Sequence, residues 1–410
     1  MIKWLIPLLI FAVIEFYAFQ AIRTVSKSKI VFIGYLIITA ITVFYIVYNF
    51  LQFDRAVGQT QKSLITIGLF LIFIVPKIVI AAVLFGEDIF RFFKAIIVYF
   101  VGDNNEGKFM PTRRRFVSQI ALGLASIPFA SLLYGMTIGK YNFKVMRKTL
   151  TFPDLPEAFD GMTITHISDI HSGSFDNAEK IQYAIDLINE QNSDLILFTG
   201  DIVNTHATEM DPWIETFKKI NTPTFGKFSV LGNHDYGEYV NWPSEKDKAD
   251  NFEKIKQIHQ KIDFKLLMNQ HVKLKKDNQE LAIVGVENWG RKFGERGDLN
   301  LASEGLTKND FKILMSHDPS HWDEKVQYDE NHYHLTLSGH THGLQFGIEI
   351  PGWFKWSPVQ YVYKQWAGLY ENTGKYIYVN RGFGFHAYPG RVGIMPEITV
   401  LTLKTYGLTA

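Results

Sequence analysis

Met162-Thr163-Ile164-Thr165-His166-Ile167-Ser168-Asp169-Ile170-His171 reads as an apolar run that stops abruptly on Asp and His. Short apolar runs bounded in this way are the signal of a buried strand. The pattern recurs along the chain. Residues 195–199 run into Gly200-Asp201, and residues 228–231 run into Gly232-Asn233-His234-Asp235. Residues 311–315 deliver Ser316-His317, and residues 333–337 deliver Ser338-Gly339-His340-Thr341-His342. Asp, Asn and His are the side chains that hold divalent metals through oxygen and imidazole nitrogen. In open α/β sheets, ligands gather beyond the carboxyl ends of the strands. Every candidate ligand of this chain falls at such an end.

The ligand types are enough for two ions. Asp169, His171 and His342 suit one metal, Asn233, His317 and His340 suit a second, and Asp201 is placed to bridge them. A bridging carboxylate keeps two cations about 3.5–4 Å apart, which suits the attacking and leaving oxygens of a phosphoryl displacement. Neutral Asn and His ligands keep such a site cationic, so that a bridging water becomes a hydroxide nucleophile near neutral pH. His234 follows the Asn ligand and is the expected proton donor to the leaving group, with Asp235 expected to orient its imidazole. Manganese is the first expectation for both ions, with iron and zinc as alternatives.

These stretches, Asp169-x-His171, Gly200-Asp201, Gly232-Asn233-His234-Asp235, His317 and Gly339-His340-x-His342, resemble in order the five motifs of the calcineurin-like metallophosphoesterases. The resemblance runs from Thr151 onward. It includes Asn380-Arg381-Gly382-Phe383-Gly384, which looks like the membrane-associated, YkuE-type branch of that family. It implies an α/β sandwich of two mixed β-sheets flanked by helices, and hydrolysis of a phosphate ester or pyrophosphate. One position departs from the family pattern: the second motif often carries Asp where this chain has Asn204, a position that usually supports the loop and binds no metal. Arg381, Arg391 and His386 are candidates for holding the substrate phosphate.

The first third has another character. Residues 4–21, 30–53 and 63–85 each have the apolar length of a bilayer crossing, and residues 117–136 read as a fourth. Residues 87–101 alternate Phe with charge, as an interfacial helix does. The Arg113-Arg114-Arg115-Phe116 stretch resembles a twin-arginine export signal, although three arginines anchoring a helix on the cytoplasmic side is the simpler reading. The loops richest in Lys and Arg follow the first span and precede the fourth. Four crossings would therefore put the catalytic domain on the outer face of a bacterial inner or plasma membrane, and three would return it to the cytoplasm. The expected division is 1–140 for a membrane region of three to four helices and 148–410 for the phosphoesterase domain.

Composition removes several classes. Lys and Arg total 42 against 41 for Asp and Glu, so no global field argues for nucleic acid. Cysteine is absent, which excludes disulfides and thiolate metal sites. Residues 350–370 are crowded with Trp and Tyr and read as a membrane-facing flap, so membrane lipids are the expected partners and a lipid-borne phosphate a candidate substrate. The sequence leaves oligomeric state open. A binding scaffold on the same fold would have lost ligands, and this chain keeps them all. A sensor or transporter built on the spans would use Glu15 and Lys77, the ionisable residues within the first three.

Overall fold

The computed structural model describes residues 2–101, 111–350 and 352–406. It divides into two compact units, Met1–Phe53 with Ile65–Gly135, and Asp54–Leu64 with Met136–Ala410.

The first unit is helical: α1 (Ile2–Val25), α2 (Lys29–Leu51), α3 (Gln61–Val101) and α4 (Pro111–Thr137), each long and apolar enough to cross a membrane. The expected break near residue 86 does not occur. Gly86 alone lowers helix propensity by only about 1 kcal/mol, so α3 runs on through the charged stretch. Small residues bring the helices together, with Ala18, Ala21, Ala121 and Ala125 buried beside Ile80 and Leu84. Lys77 Nζ donates to Glu15 Oε2 at 2.7 Å and to Thr39 Oγ1 at 3.2 Å, and Tyr35 donates to the other Glu15 oxygen. The intramembrane charges thus neutralise each other across α1, α2 and α3, which supports anchoring. Arg114 Nη1 lies 2.6 Å from Asp88 Oδ1 and 3.1 Å from Glu87 Oε2, so this arginine is engaged in helix pairing. Lys108, one of the positive charges preceding α4, lies outside the described residues.

The second unit is a sandwich. Its strands are β1 (Lys144–Phe152), β2 (Thr163–Ile167), β3 (Leu195–Phe198), β4 (Lys227–Ser229), β5 (Lys265–Leu266), β6 (Gln270–Lys276), β7 (Gln279–Gly285), β8 (Trp289–Gly290), β9 (Gly294–Glu295), β10 (Lys312–Met315), β11 (Leu335–Ser338), β12 (Ile348–Ile350), β13 (Phe354–Trp356), β14 (Gly368–Asn372), β15 (Lys375–Val379) and β16 (Glu397–Thr405). One sheet has the order β1-β16-β2-β3-β4-β5 and the other β14-β15-β11-β10-β7-β6. Both are mixed: β2, β3, β4 and β5 are parallel, as are β7, β10, β11 and β15, while β16 runs antiparallel to β2 and β14 to β15.

The apolar runs follow from burial on both faces. Leu195 and Leu197 point into the interior between the sheets with Ile313, Met315, Leu335 and Leu337. Their neighbours Ile196 and Phe198 face the helices α5 (Ala178–Glu190) and α7 (Glu245–Lys261), where Ile181, Ile185, Ile255 and Ile258 complete the layer. β5 is the edge of the first sheet. A short helix, α6 (Ile214–Phe217), lies between β3 and β4. Residues 285–297 carry the small β8–β9 ribbon. The sheet begins before residue 148, because all of β1, an edge strand with mostly exposed residues, pairs with β16.

Buried histidines make this unit acid-sensitive. His259 sits on α7 with its ring stacked on Phe198 at 5.7 Å, and burial holds its imidazole down to about 3. The unfolded chain takes up that proton near 6.5 and the folded chain does not, so stability is present above 6.5 and lost as pH falls through the interval down to about 3. At pH 5 this costs about 2 kcal/mol. In chelator, His259→Leu should flatten the fall in melting temperature between pH 7 and 5 by one proton's worth; an unchanged slope would refute the assignment.

Candidate metal centre

The carboxyl ends of β2, β3, β4, β10 and β11 meet at one edge of the sandwich, and the polar residues beyond them converge. Backbone strain marks the place. Asp169, His171, Asp201, His340 and His342 all have positive φ, between 48° and 69°, a region that non-glycine residues enter at a cost of about 1–3 kcal/mol. Neighbouring glycines make room for this. A Cβ on Gly339 would collide with Ser168 and the Asp169 carboxylate, and one on Gly232 with the Asp201 carboxylate. The glycines that precede His340 and Asn233 are therefore there for close approach.

Two groups of ligand atoms result. Asp169, His171 and His342 form one, and Asp201, His317 and His340 the other. Asp201 Oδ2 lies 3.6 Å from His171 Nε2 and 3.1 Å from His317 Nε2, between the two groups. Asn233 Oδ1 is 2.8 Å from His340 Nδ1, which brings the amide into the second group. The fit to cations rests on atoms that have no other use. His317 Nε2 and His342 Nε2 are buried with no hydrogen-bond partner among the described residues, and two buried carboxylates face them. Burial works against a charged His317, but the Asp201 and Asp169 carboxylates outweigh it and push that imidazole up to about 10. Burial instead pushes the His171, His340 and His342 imidazoles down, toward the neutral form that ligates metal.

The opposite ring nitrogens of His317 and His171 are fixed by acceptors, as metal-binding imidazoles require, whereas His342 Nδ1 accepts from Arg391 Nη2 at 3.1 Å. His317 Nδ1 donates to the Thr199 carbonyl at 2.7 Å. His171 Nδ1 donates to Asn204 Oδ1 at 3.1 Å, and His234 Nδ1 to the Asn204 carbonyl at 2.7 Å. The position that departs from the family pattern therefore orients both a candidate ligand and the candidate acid. His340 turns its Nε2 to Tyr363 OH at 2.8 Å, beside Asp318 at 3.4 Å, and Tyr239 OH accepts from Asn233 Nδ2 at 2.6 Å. Asp318, Tyr239 and Tyr363 are the supports that sequence reasoning missed, and Asn204, read as a support of the loop, also holds two imidazoles. Asp318 follows a ligand and Asn204 stood out as a departure, but Tyr239 carried no local signal.

Other expected residues divide. His386 comes into the site, its ring 4.5 Å from His234 and 5.0 Å from His171. Asp235 does not orient His234. Its carboxylate accepts the backbone N–H groups of Asp201, Ile202 and Gly232 at 2.8–2.9 Å and ties two strand-end loops together. Arg381 and Arg391 are likewise corrected from substrate groups to scaffold. Arg381 is buried and spends its fork on Glu349 and Glu397. Arg391 is fully buried and donates to the carbonyls of Gly384, Arg381 and His342. A third grouping, Asp154, His332 and His334, is a hydrogen-bonded cluster: His334 Nδ1 accepts from the Lys312 N–H, so its Nε2 keeps the proton it gives to Asp154 at 2.6 Å.

Comparison with known proteins agrees with this geometry. Residues 162–344 match the calcineurin-like phosphoesterase family, and residues 2–140 match a family described as "Probable Calcineurin-like phosphoesterase, transmembrane domain". The metallophosphoesterase YkuE of Bacillus subtilis is 32% identical over 277 residues, 66% of this chain and 89% of that protein. Phosphodiesterase YaeI of Escherichia coli is 28% identical over 300 residues, 72% of this chain and 100% of that protein. A transmembrane protein with metallophosphoesterase domain from Danio rerio is 26% identical over 319 residues, 73% of this chain and 68% of that protein. The chain belongs to the calcineurin-like metallophosphoesterases, a family of metal-dependent enzymes, and joins its catalytic domain to a transmembrane one.

Proposed function

We propose that this protein is a membrane-anchored phosphohydrolase that works with two divalent ions, manganese first among them. The observation that carries the reading is the pair of ligand groups with Asp201 within 3.6 Å of His171 Nε2 and 3.1 Å of His317 Nε2, and buried His317 Nε2 and His342 Nε2 left unpartnered among the described residues. Asp169, His171 and His342 would hold one ion, Asn233, His317 and His340 the other, and Asp201 both. When bound, two such ions supply a hydroxide nucleophile and charge stabilisation for the displaced phosphoryl oxygens. His234, held through Nδ1 by the Asn204 carbonyl, offers Nε2 to protonate the leaving oxygen. His386 flanks it as a second imidazole for the phosphate. The test is metal content and metal-dependent hydrolysis by the detergent-purified full-length protein, read as nitrophenol from nitrophenyl mono- and diesters and as phosphate from phosphatidic-type lipids and a polyprenyl pyrophosphate. A preparation that takes up no metal, or releases nothing with two ions bound, sinks the reading.

A lipid-borne phosphate is the favoured substrate, because the segment leading to Tyr363 exposes large apolar side chains. Trp353 is 81% exposed and Tyr361 78%, and Phe354, Ile348 and Ile350 on the β12–β13 hairpin are exposed as well. Trp353→Ser with Tyr361→Ser should lower hydrolysis of a vesicle-borne phospholipid about tenfold or more and leave that of a soluble nitrophenyl diester within twofold; equal effects on both would remove the lipid reading. Membrane sidedness has its own support. Residues Asp54–Leu64 belong to the same unit as the catalytic residues, so α3 and α4 together return the chain to the side it left. That favours four crossings and, with the distribution of Lys and Arg in the loops, the outer face. A reporter at the C-terminus that is active only in the cytoplasm would overturn it.

A further inference from the structure

The connection between α2 and α3 is built into the catalytic unit. Residues Asp54–Leu64 leave one apolar helix and enter another, yet their polar groups are spent on the loops that follow the candidate ligands. Gln61 Nε2 donates to the Phe175 carbonyl at 3.0 Å, three residues beyond the turn at Ser172. The Arg55 carbonyl accepts from Asn241 N–H at 2.9 Å. Gly58, at φ +73°, lies against Val240, where a Cβ would stand 2.7 Å from its side chain. Leu64 is fully buried in the same core as Tyr141, Phe175 and Phe385.

Gln59 sits at the centre of this contact. Its Oε1 accepts the Ala387 N–H at 2.8 Å and its Nε2 donates to Ser174 Oγ at 3.0 Å. Both partners are adjacent to the site. Ala387 follows His386, and Ser174 Oγ accepts from Asn204 Nδ2 at 3.1 Å. Asn204 in turn receives the His171 and His234 ring protons. A single amide thus joins the His386 segment to the hydrogen-bond chain behind one candidate ligand and the candidate acid. Only this amide orientation serves both partners, since a backbone N–H needs an acceptor. The residue that follows, Thr60, exchanges hydrogen bonds with Ser63 in the manner of a capping box, at 2.8 and 3.2 Å, which starts α3 directly after the clamp.

We propose that the α2–α3 connection is a working part of the active site, with Gln59 as the positioning residue that holds the His386 segment and the Ser174–Asn204–His171 chain in register. The proposal rests on the two-metal reading above. Its mechanism is pre-organisation: partners behind a ligand set its orientation, and losing one typically costs about 10–100-fold in metal affinity or activity. Gln59→Met keeps the volume and removes both hydrogen bonds.

The experiment is Mn(II) binding and steady-state hydrolysis of a nitrophenyl diester by the full-length protein in detergent, for wild type, Gln59→Met, Ser174→Ala and the double variant. Gln59→Met should weaken one of the two Mn(II) sites about tenfold and lower kcat by a similar factor, with KM within twofold of wild type. The double variant should be no worse than the poorer single one, because both remove the same link. Wild-type Mn(II) affinity and kcat in Gln59→Met, or additive losses in the double variant, would overturn the clamp and leave the two-metal reading standing. Wild-type protein that binds no Mn(II) overturns both. If Gln59→Met does not fold, Ser174→Ala decides alone, since it breaks the same chain without altering the membrane hairpin.

Discussion

Asp201→Asn is expected to reduce the rate of hydrolysis by about 10³-fold or more and to lower metal content from two ions to one or none. The carboxylate is buried between the two ligand groups, within 3.6 Å of His171 Nε2 and 3.1 Å of His317 Nε2. Replacing it by an amide removes the one negative charge both ions would share, and with it the several kcal/mol of charge stabilisation that a paired-metal site contributes. The fold survives the change, because Asn Oδ1 still accepts the His234 N–H that Asp201 Oδ1 now receives at 2.8 Å. The checks are metal analysis of the purified variant, its melting temperature in chelator, and its rate on a nitrophenyl diester. Two retained ions with less than a tenfold loss of rate would show that Asp201 bridges nothing.

His234→Ala is expected to be nearly as damaging, but selectively. Removing a general acid costs about 10²–10⁴-fold. That cost falls on substrates whose leaving alkoxide needs a proton, and largely vanishes for nitrophenolate, which departs unassisted. Comparing an alkyl with a nitrophenyl phosphodiester therefore isolates the role. An equal loss on both would make His234 a binding group. Asp235 supplies the contrast. Its carboxylate accepts three backbone N–H groups, so Asp235→Asn sets an amide N–H against one of them and costs about 1–3 kcal/mol of stability. Its alkyl-to-nitrophenyl ratio should match wild type.

The contrast between His234 and Asp235 shows where sequence reasoning reaches and where it stops. Adjacent polar residues in Gly232-Asn233-His234-Asp235 invite the idea that neighbours in sequence cooperate. In the folded chain the tight turn sends Asp235 inward to backbone donors from β3's end, while His234 bonds the Asn204 carbonyl. Arg381 and Arg391 failed for a related reason. A guanidinium beside glycines looks available, but here Glu349, Glu397 and the carbonyls of the 381–384 turn absorb its donors.

What the sequence alone determined is the set of candidate ligands and the strands that carry them. An apolar run ending on Asp or His is a local pattern, and burial on both faces of a parallel strand leaves it visible in one dimension. The apolar lengths of the membrane helices are local in the same sense. Tertiary structure alone decided which atoms stand behind those ligands: Thr199, Asn204, Asp318 and Tyr363 meet their histidines across gaps of 22 to 118 residues. It also decided that Gln59, in the turn of a membrane hairpin, lies against Ser174 and Ala387, 115 and 328 residues away. Hydrogen bonds between distant loops depend on where each strand end is delivered, and no periodicity along the chain encodes that.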